Sequence, residues 1–296
     1  MSRPQNGGMF KPRIGLALGG GGARGAAHIG VLRHLEQVGI RPHCVAGTSA
    51  GAIVAALWAF GVPLEEAEAQ MRQMKPVDLT GLRFKGLGLF ENKEVAQLLH
   101  KLLPADARIE AAPVPLAFKA TDLLSGRGVV LKEGPVVPAV LASCCVPGVY
   151  LAQEWEDKVL VDGGLTENVP LSALRALGAH FLIGVNLNGH GGYQRPKGVV
   201  DVLSNAMDIA IDAQTRRQLE DAHIVISMDL SKFSRTSSED FDALVAEGQR
   251  ATRAQIKSMT ALSFWLRVKK VWRLLRALAP VKIPELLKQL PFRAGQ

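Results

Sequence analysis

Cysteine is scarce in this chain of 296 residues, which has only Cys44, Cys144 and Cys145. Three cysteines cannot build a disulfide framework, and adjacent residues such as Cys144 and Cys145 rarely pair with each other. The cysteines and the seven histidines also lack the spacing of a zinc site. The sequence therefore predicts a protein of a reducing compartment without a zinc centre.

Acidic residues are nearly absent from the C-terminal part of the chain. Residues 250–296 hold eleven Lys or Arg and one acid, Glu285, whereas the other 249 residues hold 24 basic and 26 acidic side chains. The net charge of +8 therefore belongs to this part of the chain. A uniformly basic, nucleic-acid-binding domain is not expected, since the basic charge is confined to one end.

The basic tail, residues 256–296, has a second pattern besides its charge. Drawn as a helix, it places an apolar arc with two Trp residues opposite an arc of Lys and Arg. This arrangement is typical of helices that lie on an anionic membrane surface. Packing against the domain or against a second subunit is the alternative interpretation.

An N-terminal signal and an unbroken membrane span are also missing. Residues 1–12 are rich in Gly, Pro and polar side chains, which predicts a flexible leader. Two uncharged stretches, 42–64 and 134–153, contain turn-forming residues in mid-run, so buried core is the better interpretation of both. We expect a cytoplasmic protein, peripheral at the inner membrane face if its tail binds lipid.

Strand-like and helix-like runs alternate through the rest of the chain. The patterns predict buried strands over 14–20, 43–47, 116–121, 159–161, 181–186 and 224–228, and helices over 26–39, 52–61 and 65–74, with an amphipathic segment over 199–222. Such alternation is typical of an α/β fold whose mainly parallel sheet carries helices on both faces. We expect one domain over 13–255, with residues 80–92 forming a lid or an ordinary surface loop.

The second predicted strand runs into a Gly-x-Ser-x-Gly motif over residues 47–51, and a helix follows at once. This context makes the motif a nucleophile elbow, in which a tight turn lifts the Ser49 hydroxyl out of the sheet edge. The flanking glycines permit the strained turn, and the helix N-terminus favours developing negative charge. Ser49 is therefore the candidate nucleophile.

Residues 19–25, a glycine-rich loop, follow the first predicted strand and also precede a helix. They match a dinucleotide-binding fingerprint formally, but that fingerprint needs an acid about 20 residues later. No acid lies between Glu36 and Glu65, and no Walker-type Gly-Lys-Ser/Thr follows. The favoured interpretation is an oxyanion hole of backbone N–H groups beside Ser49. Arg24 either steadies this loop or meets an anionic head group.

A nucleophilic serine needs a base. Asp162 closes a predicted strand and precedes two glycines, which lets its carboxylate approach a neighbouring strand end. A triad in the order Ser, acid, His needs one of three histidines: His180, His190 or His223. His180 and His223 begin predicted strands and are expected to serve packing. His190 lies in a glycine-rich loop and stays a candidate. His28 is interpreted as structural. A Ser49–Asp162 dyad is the economical prediction.

Four motifs together resemble those of bacterial patatin-like phospholipases, and they occur in the same order. The oxyanion loop of that family matches residues 20–25, and its nucleophile motif matches residues 47–51. A third block that ends in proline matches residues 142–147, and the Asp-Gly-Gly motif matches residues 162–164. The similarity runs from about residue 13 to residue 256 and so leaves out the basic tail.

The resemblance implies a three-layer α/β/α fold, related to the cytosolic phospholipase catalytic domain, and a lipid acyl hydrolase of the phospholipase A or lysophospholipase type. Ser49 is then the nucleophile and Asp162 the base. The implied oxyanion hole comprises Gly20, Gly21, Gly22, Ala23, Arg24 and Gly25. No metal or other cofactor is implied, and the expected partner is a phospholipid or another lipid ester. The alternatives are a soluble esterase or thioesterase of the same fold and a non-catalytic regulatory scaffold.

Overall fold

The structure, a computed structural model, describes residues 13–74, 92–189, 192–193, 195–196, 198–235 and 239–257. These residues form one eight-stranded sheet. Its strands are β1 (Ile14–Leu18), β2 (Cys44–Thr48), β3 (Leu116–Asp122), β4 (Gly128–Leu131), β5 (Gln153–Trp155), β6 (Lys158–Asp162), β7 (Phe181–Asn186) and β8 (Ile224–Ser227). The order is β5-β6-β3-β2-β1-β7-β8, and β4 also pairs with β3.

The central part of the sheet is parallel and one side is antiparallel. Strands β3, β2, β1, β7 and β8 run in the same direction, whereas β4, β5 and β6 form antiparallel pairs. The carboxyl ends of the parallel strands therefore lie together along one edge, which we call the carboxyl edge. This is the edge at which α/β folds place their sites.

Helices cover the sheet on both faces. They are α1 (Ala27–Gln37), α2 (Ala50–Ala59), α3 (Leu64–Met71), α4 (Lys93–Leu102), α5 (Val136–Ser143), α6 (Gly164–Glu167), α7 (Leu171–Ala176), α8 (Val199–Gln218) and α9 (Phe241–Lys257). Short 3-10 helices occupy Gly22–Ala26, Ile109–Ala111 and Leu219–Asp221.

Two apolar clusters, one on each face, hold the layers together. In β1, Leu16 and Leu18 belong to the larger cluster with α1, α2, α5 and α9, whereas Ala17 belongs to the smaller cluster with α7. Alternate side chains of a strand point to opposite faces, so a strand buried on both faces is apolar throughout. The predicted three-layer α/β fold with a mainly parallel sheet is confirmed.

The pairing of β3 explains how two distant parts of the chain meet. Thr48, at the end of β2, pairs with Lys119, and Asp162, at the end of β6, pairs with Ala120. The ends of β2 and β6 therefore meet at neighbouring positions of one strand. Ser49 directly follows Thr48 in the chain.

Three of the sequence predictions concern residues outside the described ranges. These are the leader over 1–12, nearly all of the loop over 80–92, and the basic tail beyond residue 257. Among the helices that the structure does describe, none combines the length and the hydropathy needed to cross a membrane.

Candidate active site

Ser49 lies in a sharp turn between β2 and α2. Its backbone has φ 54° and ψ −126°, a conformation that residues with a side chain rarely adopt. The flanking glycines make this turn possible: a Cβ atom at Gly47 would lie 2.4 Å from the carbonyl oxygen of Gly51, and one at Gly51 would lie 2.1 Å from that of Leu18. The motif thus has the backbone geometry of a nucleophile elbow.

Asp162 lies beside Ser49, because their strands end at neighbouring positions of β3, and the Ser49 side chain lowers the pKa of the carboxylate. Asp162 is only 8% exposed, and its Oδ1 accepts a 2.8 Å hydrogen bond from the N–H of Gly164. Burial raises the pKa of Asp162 to about 6, against the lowering effect of Ser49 and of the hydrogen bond from Gly164, and Asp208 raises it further. The carboxylate is therefore ionised near neutral pH and basic enough to accept a proton.

The third sequence block, residues 142–147, contacts both of these residues. The hydroxyl oxygen of Ser143 accepts a 2.9 Å hydrogen bond from the N–H of Ser49 and donates a 2.7 Å bond to the carbonyl of Lys119. The carbonyl of Cys145 accepts a 2.8 Å bond from the N–H of Asp162. The resemblance located this block, but only the structure shows that it ties the elbow to the aspartate loop.

A buried ion pair braces the loop after Asp162. The ammonium of Lys119 lies 2.8 Å from Oε2 of Glu167, at the end of α6, and donates a 2.9 Å hydrogen bond to the Ser172 hydroxyl. The side chains of Lys119 and Glu167 are only 8% and 11% exposed. A buried charge needs such a partner, so the pair fixes α6 against β3.

The glycine-rich loop lies against Ser49. A Cβ atom at Gly20 would be 3.0 Å from Cβ of Ser49, and one at Gly25 would be 2.6 Å from Cβ of Ala50. Side chains at these two positions would push the loop away from the elbow. Gly22 has φ 61°, and a Cβ there would lie 2.4 Å from the carbonyl oxygen of Arg235. Glycine is thus required at three positions of the loop.

The structure narrows the predicted set of oxyanion-hole donors. The N–H of Gly20 donates to Oδ1 of Asn168 at 3.1 Å, and the N–H of Ala23 donates to the carbonyl of Arg235 at 2.8 Å. These two N–H groups already have acceptors within the protein. The N–H groups of Gly21 and Gly22 have no acceptor within the part of the chain that the structure describes. They are the donors best able to meet an oxyanion.

Arg24 holds the loop from behind. Its side chain is buried; Nε and Nη2 donate to the carbonyl of Phe233 at 3.0 and 2.7 Å, and Nη1 donates to Oδ1 of Asn188 at 3.1 Å. Burial lowers the pKa of Arg24 to about 10, which leaves the guanidinium charged at neutral pH. Of the two predicted roles, steadying the loop agrees with these contacts.

Comparison with known proteins gives the family. The family model described as patatin-like phospholipase matches residues 16–175, which is more than half of the chain and includes the glycine loop, the elbow and Asp162. The chain belongs to the patatin-like phospholipase family. The resemblance inferred from the four motifs is thus confirmed, and the family is one of lipid hydrolases.

The relatives of this patatin-like phospholipase domain include longer proteins. An uncharacterized NTE family protein of Mycobacterium tuberculosis is 35% identical over 184 residues, which cover 62% of this chain and 51% of that protein. The neuropathy target esterase sws of Drosophila melanogaster is 30% identical over 182 residues, or 59% of this chain and 13% of that protein. The chain spans about half the length of the mycobacterial relative. The crystal structure of VipD from Legionella pneumophila matches with a TM-score of 0.47 and 14% identity, covering 83% of this chain and 67% of that one.

The histidines considered for a triad lie elsewhere in the patatin-like fold. His180 and His223 accept hydrogen bonds from the N–H groups of Arg13 and Leu182, beside the starts of β7 and β8 and opposite the carboxyl edge. His190 lies outside the described residues.

His28 supports the glycine loop in this patatin-like domain. It is fully buried, with Nε2 2.7 Å from the carbonyl oxygen of Gly19. Burial lowers the pKa of His28 to about 4, so the ring is neutral at physiological pH. Its contact is with the backbone of the loop, in keeping with the structural role predicted for it.

Over the described residues, no three His, Cys, Asp or Glu side chains lie close enough together to hold a metal ion. The residues beside Ser49 instead offer a hydroxyl, a carboxylate and free backbone N–H groups, which suit acyl transfer.

Proposed function

We propose that this chain is a lipid acyl hydrolase of the phospholipase A or lysophospholipase type, which uses Ser49 as nucleophile and Asp162 as general base. The Ser49 oxygen attacks the ester carbonyl carbon while its proton passes to the Asp162 carboxylate. The oxyanion that forms accepts hydrogen bonds from the N–H groups of Gly21 and Gly22. Asp162 then gives the proton to the leaving alcohol, and the acyl group stays on Ser49.

Water completes the cycle in the same site. Asp162 takes a proton from the water molecule that attacks the acyl-enzyme, the oxyanion forms again, and its collapse releases the fatty acid. The proton on Asp162 returns to the Ser49 oxygen. Each step needs one group that alternates between accepting and donating a proton, and a carboxylate whose pKa is about 6 can do both near neutral pH.

One observation carries the proposal: the strained elbow of Ser49 lies beside the buried carboxylate of Asp162, because their strands end at neighbouring positions of β3. Strain at a non-glycine residue persists only where the surrounding structure enforces it, and it is concentrated at functional sites. A regulatory scaffold of this fold does not need a strained serine paired with a buried carboxylate. A catalytic dyad does.

The test compares wild type with Ser49→Ala and Asp162→Asn on two substrates, a soluble p-nitrophenyl butyrate and a long-chain phospholipid. We expect both variants to lose at least about a thousandfold in kcat/KM on both substrates, because the nucleophile or its base is gone. Circular dichroism and thermal unfolding confirm that each variant is folded. An active Ser49→Ala would refute the proposed nucleophile, and an active Asp162→Asn would point to His190 instead.

The same assay separates a lipid hydrolase from the soluble esterase or thioesterase. A lipid hydrolase prefers the phospholipid over the short ester by kcat/KM, since its site accepts a long acyl chain. A marked preference for p-nitrophenyl butyrate or for an acyl thioester would support the soluble alternative. A wild type inactive on all three substrates would count against catalysis and for the scaffold.

A further inference from the structure

Exposed apolar side chains are concentrated in two segments. The part of the chain that the structure describes exposes eight large hydrophobic side chains, and all but Val38 lie in residues 123–124 or 193–209. They are Leu123, Leu124, Tyr193, Val199, Val202, Leu203 and Ile209. Scattered exposed hydrophobics are ordinary, but a clustered group marks an interaction surface.

The first segment is the turn between β3 and β4. Leu124 is 71% exposed and Leu123 is 51% exposed. The turn is held by Asp122, whose carboxylate accepts hydrogen bonds from the N–H groups of Leu124 and Ser125 at 3.1 and 3.2 Å. Asp122 is therefore buried beneath the backbone of the turn, whereas Leu123, Leu124 and Arg127 are exposed.

The second segment is one face of α8. Seven residues of one helix face, which follow the pattern i, i+3, i+4, i+7 and its repeat, are all apolar and all exposed: Val199, Val202, Leu203, Ala206, Ile209, Ala210 and Ala213. Val199 is 76% exposed. This spacing produces one continuous stripe along a helix. Among the described residues beside the helix, Arg195, Arg216 and Arg217 are exposed at its two ends.

The other side of α8 packs directly on the loop after Asp162. The side chains of Gln214 and Gln218 donate hydrogen bonds to the carbonyl of Thr166 at 2.9 and 2.7 Å. A Cβ atom at Gly164 would lie 3.6 Å from Cδ1 of Ile211. The helix therefore carries its exposed apolar stripe on the element that covers the Asp-Gly-Gly motif.

The β3–β4 turn and the first turns of α8 lie at the edge of the sheet that holds Ser49, whereas the end of α8 approaches the opposite edge, where β8 begins. The β3–β4 turn follows the carboxyl end of β3, and α8 begins after the carboxyl end of β7. Ser49 follows the carboxyl end of β2. An ester in a lipid aggregate must reach Ser49 from this edge. Leu123, Leu124, the exposed side chains of the first turns of α8, and the exposed Arg127 and Arg195 are thus placed where a lipid surface with anionic head groups would meet the protein.

We propose that Leu123, Leu124 and the start of the exposed stripe of α8, at Val199, Val202 and Leu203, form a lipid-docking surface that seats the carboxyl edge on a phospholipid bilayer. The proposal rests on the proposed function for its choice of occupant, and it differs from the expectation that the basic tail makes the membrane contact. The apolar side chains enter the boundary between head groups and acyl chains, and Arg127 and Arg195 contact lipid phosphates.

The test uses a full-length triple variant, Leu124→Ser with Val199→Ser and Leu203→Ser. Binding to vesicles of phosphatidylcholine and phosphatidylglycerol is measured in the Ser49→Ala background, which leaves the lipid intact. We expect the triple variant to bind at least about tenfold more weakly. In the active background, hydrolysis of vesicle phospholipid falls by a similar factor, whereas hydrolysis of p-nitrophenyl butyrate stays within about twofold.

Val38→Ser is the matched control, because Val38 is an exposed valine at the end of α1, at the edge opposite Ser49. It should leave vesicle binding unaltered. Equal vesicle binding by the triple variant and the control would overturn the docking surface, as would an equal loss on both substrates. A wild-type dimer that the triple variant dissociates would assign the surface to a second copy instead.

This design distinguishes a failure of the proposed catalytic function from a failure of the proposed docking surface. Surface-dependent binding of the Ser49→Ala protein with no hydrolysis by wild type would reject the catalytic function and keep the docking surface. Hydrolysis of vesicles that is insensitive to the triple variant would reject the docking surface and keep the function.

Discussion

The backbone N–H of Ser49 donates a 2.9 Å hydrogen bond to the hydroxyl oxygen of Ser143, 94 residues further along the chain. Ser143 is fully buried, and its own hydroxyl donates to the carbonyl of Lys119 on β3. Ser49 has φ 54°, so the elbow is held in a conformation that the local chain disfavours. The Ser143 hydroxyl therefore couples the strained elbow to the central sheet.

Ser143→Ala should lower kcat more than it changes KM, because Ser143 positions the nucleophile and is not placed to bind substrate. We expect a loss of about 10–100-fold in kcat and a loss of about 1–3 kcal/mol in unfolding free energy, since the N–H of Ser49 is left without its acceptor. Steady-state kinetics and urea unfolding measure the two effects.

Thr252→Ala is the matched control for Ser143→Ala. The Thr252 hydroxyl is also fully buried and donates to the carbonyl of Gly248, but within α9. This variant should lose stability and keep its kcat. If both variants lowered kcat alike, the effect would come from general destabilisation, and the positioning role of Ser143 would be rejected.

The pH dependence of hydrolysis should follow the ionisation of Asp162. The base is active only as the carboxylate, whose pKa burial raises to about 6. We therefore expect kcat/KM to fall about tenfold per pH unit below that pKa and to level off above it. A profile from pH 4.5 to 8.5 on p-nitrophenyl butyrate measures this. An inflection that persists in Asp162→Asn would show that another group is the base.

The sequence predicts where most strands of the sheet lie, but it misses several helices and two short strands. The prediction for β7, residues 181–186, agrees with Phe181–Asn186 at both ends, because Phe181, Leu182, Ile183 and Val185 form a short buried apolar run. Helices α4, α5, α6, α7 and α9 and strands β4 and β5 were not predicted. Pro138 is the third residue of α5, within the first turn, where proline is tolerated, so it did not exclude a helix there.

The residues of the site were predicted better than their hydrogen-bond partners. The motifs located Ser49 and Asp162, since a strand–turn–helix pattern places residues at a known edge. The roles of Ser143 and Asn168 depend on side chains that meet from 94 and 148 residues away. A single sequence holds no signal for such contacts, so the acceptors of the Gly20 and Ala23 N–H groups were not foreseeable.

Gly22→Ala should displace the oxyanion loop. The new Cβ would clash with a neighbouring carbonyl oxygen, in addition to the backbone strain of a positive φ. Gly22 has φ 61°, and a Cβ there would lie 2.4 Å from the carbonyl oxygen of Arg235, which accepts the N–H of Ala23. We expect kcat to fall at least about a hundredfold, because displaced N–H groups no longer meet the oxyanion.

Gly39→Ala is the control for Gly22→Ala, because it introduces the strain of a positive φ without a steric clash. Gly39 has φ 73°, but nothing lies within 4 Å of a Cβ at this position. It should cost about 1 kcal/mol in unfolding free energy and leave kcat intact. Equal kcat for the Gly22 and Gly39 variants would show that the loop tolerates the displacement and would remove Gly21 and Gly22 from the proposed oxyanion hole.

Asp162→Asn should stabilise the protein at alkaline pH while it abolishes activity. Burial raises the pKa of Asp162 from 3.8 to about 6, so the folded state binds this proton more tightly than the unfolded chain does. The stabilising effect of the proton is complete below pH 4 and is lost as the pH rises through 6. At pH 8 the buried carboxylate thus destabilises the fold, on the order of 2–3 kcal/mol.

The neutral amide of Asp162→Asn removes that cost and can still accept the hydrogen bond from Gly164. Urea unfolding should therefore find Asp162→Asn more stable than wild type at pH 8 and nearly equal to it at pH 4. A variant no more stable at pH 8 would show that the desolvation of Asp162 is not what sets its basicity.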